Sequence, residues 1–121
     1  MRLATFTVEG NECSLSALPG DVGGHRANVE RWLGQLDVEP VPEDLMTGFL
    51  AEAERVDTEG ALHGVVYDFR RFTADGDADA TSMLAAALEK DGFTVFVKLM
   101  GPRNLLEREA AHFRDLVLSL R

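Results

Sequence analysis

The side chains able to do chemistry are few and widely spread. Histidines stand at His25, His63 and His112, a spacing that fits no compact metal motif such as H-E-x-x-H. They read as unrelated residues, and no metal is expected. Asp75, Asp77 and Asp79 alternate in DGDAD. A calcium loop between two helices needs a glycine at its sixth position and a bidentate acid at its end. Here Gly76 comes too early and Thr81 and Ser82 stand where acids would help, so the stretch reads as a solvated acidic loop. Cys13 has no basic sequence neighbour to lower its pKa and sits among alternating apolar residues, which suits a buried thiol better than a nucleophile. ALPG and GDVGG contain glycine but lack G-x-x-x-x-G-K-[ST], so neither is a phosphate loop. Gly23 and Gly24 open a helix, where they either offer free N–H groups to an anion or let the chain turn. No cofactor is expected and no catalytic residue is assigned. The alternative, a small hydrolase-like or ligand-binding enzyme, would need a deep pocket holding an acid or histidine of strongly shifted pKa.

One constellation carries more. In GGHRANVERWLGQL, Asn28, Arg31 and Gln35 are three and four residues apart, so a helix places them in one polar stripe. Val29, Leu33 and Leu36 line a neighbouring apolar face, and Trp32 adjoins both. One reading has Trp32 anchoring the helix on a sheet while the polar residues hold loops or meet water. The other has a recognition surface, since Trp and Arg concentrate at binding hot spots and the planar fork of Arg31 suits a carboxylate or backbone group of a protein partner. Lys98 joins this face if the last strand runs beside the stripe. Asn28, with its short side chain, is expected to bond backbone; Arg31 is expected to bind the partner.

Those residues need elements to position them. Leu3–Val8 and the alternating Cys13, Leu15 and Ala17 read as a hairpin around EGNE, with one face buried. A helix is expected over His25–Leu36, ended by Pro40 and Pro42. PEDLMTGFL suits a short helix that Gly48 ends or weakens, and Ala51–Thr58 is ambiguous between strand and helix. Leu62–Phe72 is the strongest strand signal, with Val65, Tyr67 and Phe69 on one face and Val66 on the other. Met83–Leu88 has helical propensity from its alanines, but the EKDG turn before alternating Phe93–Leu99 makes it a strand. Gly101-Pro102 opens a last amphipathic helix through Leu106, Ala110, Phe113, Val117 and Leu120. The order β-β-α-(α)-β-β-β-β-α predicts an α+β fold: an antiparallel β-sheet covered by helices, with Trp32 and Phe113 in the core and the two long helices on one face or one on each.

A chain of 121 residues, 45% hydrophobic and 27% charged, reads as one domain over residues 1–121, able to bury a core without disulfides or metals. The formal charge of -9, from 21 acidic and 12 basic residues, disfavours nucleic acid; the basic stretches DFRRF and GPRNLLER are short and interrupted by acids. No apolar run is long enough to span a membrane. The oligomeric state stays open.

MRLATFTV, GGHRANVERWLGQL and FVKLMGPRNLLEREAAHF together resemble a group of small bacterial proteins of the PsbP-like superfamily of α/β/α sandwiches. The resemblance covers most of the chain and is weakest over Val41–Glu59. Its more specific mark is the glycine pair followed by A-N-V-x-R-W-x-G-Q; V-K-L-x-G-P before a helix is a second. The matching positions are Asn28, Arg31, Trp32 and Gln35 on the helix and Lys98, Gly101 and Pro102 at the strand end. The resemblance implies a non-catalytic domain that binds proteins or assists assembly. Members often carry an export or lipoprotein leader and some sequence before the first strand, and the start of this sequence directly in a strand leads to the expectation that such an N-terminal segment precedes Met1; an exported or lipoprotein-anchored product is then expected, and a cytoplasmic one otherwise. Members also have a longer loop after the central strand, where this chain has TADGDADAT.

Overall fold

The structure is a computed structural model that describes residues 2–8, 11–19, 24–36, 38, 41–72 and 81–120. The acidic stretch Asp75–Asp79 and the turn residues Glu9 and Gly10 lie outside the described residues, as do Gly23 and the side chain of His25.

Strand β1 (Arg2–Val8) pairs antiparallel with β2 (Asn11–Pro19), Val8 opposite Asn11 and Phe6 opposite Cys13. Asn11, expected in the turn, is already the first residue of β2. Helices α1 (Gly24–Gln35) and α2 (Glu43–Glu52) follow. They lead to β3 (Glu54–Asp57) at the far edge, from which β4 (His63–Asp68), β5 (Thr81–Lys90) and β6 (Phe93–Pro102) return as a meander until β6 meets β2. The sheet has six strands in the order β1-β2-β6-β5-β4-β3, every neighbouring pair antiparallel. Between paired Lys90 and Phe93 the two turn residues are left-handed, Asp91 at φ 51° and Gly92 at φ 82°. That geometry matches the twist of a two-residue hairpin and favours the Asp-Gly pair found there. Helix α3 (Arg103–Leu118) follows β6.

The two long helices take opposite faces. Val29, Trp32 and Leu33 of α1 and Met46 and Phe49 of α2 pack on Val65, Tyr67, Met83, Ala85, Ala87 and Phe96. Leu106, Phe113 and Val117 of α3 pack on Leu84, Ala86, Leu88, Val97 and Leu99. The result is an α+β sandwich with helical layers on both faces of an antiparallel sheet. The alternation of β4 divides as expected, Val65 and Tyr67 toward α1 and α2, Val66 toward α3. β5 lies under helices on both faces, so Ser82 to Leu88 are all buried. That double burial is why its sequence shows a continuous apolar run rather than alternation.

Further boundaries differ from expectation: Glu89 and Lys90 of the expected EKDG turn belong to β5, and α3 stops at Leu118. The strand expected over Leu62–Phe72 stops at Asp68, and Phe69–Phe72 forms a 3₁₀ turn. The Asp68 carboxylate accepts the backbone N–H of Arg70 at 3.0 Å and its guanidinium at 2.5 Å, a local bond that competes with the ladder. Gly48 does not end α2, which runs on to Glu52; buried Met46 and Phe49 on either side of it hold the helix to the sheet. Pro102 caps α3 in an extended conformation (φ -60°, ψ 146°) rather than lying inside its first turn. The β3–β4 loop is fixed by the end of α3: the N–H of Glu59 donates to the carbonyl of Leu118, which the helix end leaves open, and that of Gly60 to the carbonyl of Leu120 just beyond it, each at 2.9 Å.

Candidate functional site

α1 is oriented by its apolar side and tied by its polar one. Trp32 is 3% exposed, its ring lying 6.0 Å from Tyr67, 6.0 Å from Phe69 and 5.6 Å from Phe96, centroid to centroid. On the outer side the Arg26 guanidinium bridges Glu30 on its own helix at 3.0 Å and Glu43 of α2, where Nη1 reaches Oε1 at 2.6 Å. These carboxylates strengthen Arg26's hold on its proton.

With α1 so placed, the stripe meets the sheet at a small dent of about 170 Å³ lined by Ser14, Ser16, Arg31, Trp32, Gln35, Phe96 and Lys98. Its sheet side follows from register. Ser14 lies opposite Lys98 and Ser16 opposite Phe96 across the β2–β6 ladder. Cys13 and Leu15, which alternate with the serines, join the α3 layer instead. Lys98 Nζ donates to Gln35 Oε1 at 2.8 Å, linking β6 to α1. The Arg31 guanidinium carbon sits 5.8 Å from the Trp32 ring centre and 5.7 Å from that of Phe96, within cation–π range of both. Neighbouring Glu30 is engaged by Arg26.

Four of the five sequence-predicted residues, Arg31, Trp32, Gln35 and Lys98, therefore converge. Asn28 does not line the dent: it is 3% exposed, and among the described residues its Oδ1 finds no hydrogen-bond partner. Sequence reasoning missed Ser14, Ser16 and Phe96. The alternation of Cys13–Ala17 separates the serines from the apolar face, but which strand lies beside them is a matter of tertiary pairing.

The remaining reactive groups lie apart. Cys13 is buried, and burial pushes its thiol up to about 11, away from thiolate chemistry. His63 pairs with Asp57 on β3, and His112 with Glu109 on α3 at 2.8 Å. Among the described residues, no three His, Cys, Asp or Glu side chains lie together so as to hold a metal ion. A larger cleft of about 700 Å³ opens between the end of α2, β3, β4 and α3, floored by Phe49, Tyr67 and Phe113. At its rim the Arg114 guanidinium reaches Glu54 at 2.5 Å, while Arg70 holds Asp68. Burial raises the Tyr67 hydroxyl to about 12, and Asp68 raises Arg70 further; both shifts keep protons on these groups. No described helix is long and apolar enough to cross a membrane.

Compared with known proteins, the chain matches no protein-family model and no curated protein sequence.

Proposed function

We propose that this chain is a PsbP-like α/β/α sandwich acting as a non-catalytic, protein-binding or assembly-related domain, with the dent between α1 and β6 at the centre of its contact face. The observation that carries the reading is the convergence of Arg31, Trp32 and Gln35 of α1 with Lys98 of β6, more than sixty residues away in sequence, on one shallow site. Arg31 is exposed on a rigid aromatic base, the kind of anchor that dominates protein interfaces. The motif resemblance supports the family assignment, and the two-sided helical cover of an antiparallel sheet is compatible with it.

The test is affinity capture from the source organism with the wild-type chain and with Arg31→Ala and Lys98→Ala. Both side chains lie at the surface of the dent, so melting should move by less than about 1 kcal/mol-equivalent while the captured partner is lost. Capture unchanged by both substitutions would remove the dent from the contact face. A second reading, a ligand-binding or hydrolase-like enzyme, is favoured by one observation, the 700 Å³ cleft beside α3, whose size falls in the range of small-molecule sites.

A further inference from the structure

We infer that the dent recognises a carboxylate on its partner, as a chain terminus or an acidic side chain. This rests on the binding reading above and names the group that the site would take. Two cationic side chains, Arg31 and Lys98, approach one cavity from different elements in a chain whose net charge is -9. Two hydroxyls, Ser14 and Ser16, stand beside them on β2, and the Gln35 amide steers the Lys98 ammonium by accepting its hydrogen bond at 2.8 Å.

Among the described residues, the groups that hold the Arg31 guanidinium are two aromatic rings, not a carboxylate. Rings fix a guanidinium's position while using none of its N–H donors, so the fork stays available for two parallel bonds to one planar acceptor. A carboxylate offers that plane and leaves lone pairs for an ammonium and hydroxyls. The volume, about 170 Å³, corresponds to a few water molecules and suits a carboxylate with a short stem. A neutral backbone carbonyl would offer the Arg31 fork a single acceptor oxygen and no opposite charge.

Trp32 is the one tryptophan of the chain and lines the dent, so its fluorescence and its indole N–H resonance report on the site directly. The probes are N-acetyl-Gly-Ala with a free C-terminus, the same peptide as its C-terminal amide, N-acetyl-glutamate amide, and inorganic phosphate, all at constant ionic strength. The expected result is a saturable Trp32 response to the free acid or to the glutamate side chain, with the amide at least about tenfold weaker, as for loss of a charge-assisted hydrogen bond. Whichever carboxylate responds identifies the source. Arg31→Lys, which keeps charge but loses the fork, and Lys98→Gln should each weaken the response by a similar factor.

Equal binding of acid and amide, saturation by phosphate alone, or no response to either carboxylate overturns the inference. The acid–amide comparison uses the wild-type chain and so stands even if a variant fails to fold. Loss of a captured partner on Arg31→Ala, combined with no carboxylate response, would defeat this inference while leaving the contact face intact.

Discussion

Replacing Trp32 by alanine tests whether the residue that lines the dent is also what fastens α1 to the sheet. The indole is 3% exposed and meets Phe69 and Phe96 edge-on, at 83° and 86°, and Tyr67 at a tilt of 58°. Truncation removes roughly 200 Å² of buried ring, which at about 25 cal/mol per Å² corresponds to about 5 kcal/mol, an upper bound because unfolded chains are partly compact. The lost edge contacts and the cavity add to this, and collapse of Tyr67 and Phe96 into the space returns part. The expected net loss is about 4 kcal/mol, inside the usual span for a large buried aromatic. Domains of this size are stable by only about 5–15 kcal/mol, so the variant should remain folded but with a urea midpoint lower by roughly 2 M and an unchanged slope. Far-UV circular dichroism is the readout, since the variant has no tryptophan left. A loss below about 1 kcal/mol would mean that the aromatic cluster does not hold α1, and the placement of Arg31 over it would have no physical basis.

Two further perturbations probe the sheet. A Cβ at Gly64 would lie 1.9 Å from the Ala87 carbonyl oxygen and 2.8 Å from the Leu88 Cα, both backbone atoms of the adjoining β5, so Gly64→Ala should cost more than about 2 kcal/mol by overpacking. Gly34, with nothing within 4 Å of its added Cβ, provides the control: Gly34→Ala in α1 should gain about 0.5–1 kcal/mol from helix propensity, and chemical melts giving equal effects at the two sites would contradict the packing. For Cys13, a thiol raised from 9.0 to about 11 by burial binds its proton more tightly folded than unfolded. Its contribution to stability is therefore complete below pH 9 and lost as pH rises toward 11. A native thiol that reacts with a disulfide reagent at pH 8 as fast as the urea-unfolded chain would show that Cys13 is not shielded.

Local patterns decided much of this fold. The Asp-Gly turn requires two left-handed residues in succession, few residue types tolerate them, and so the β5–β6 hairpin is legible from four letters. The period of α1 is equally local: a helix puts Val29 and Leu33 on one side and Arg31 and Gln35 on another wherever it is docked. Other features depend on neighbours far along the chain. The three alanines of β5 have a helical preference that is overridden because the strand sits between two helical layers, where small side chains fit under α1 and α2 on one face and α3 on the other. The end of β4 at Asp68 depends on a side chain bonding its own backbone. Asn28 shares the stripe's spacing, yet it is buried beside Val29 while Arg26, Ala27 and Glu30 of the same turn stay exposed. The dent itself needs β6 to lie between β2 and β5, a pairing across some eighty residues. Spacing along a helix fixes which side chains share a face; only the sheet register decides that Lys98 and the serines meet that face, because strand order is set by the burial of both layers together and not by any one segment.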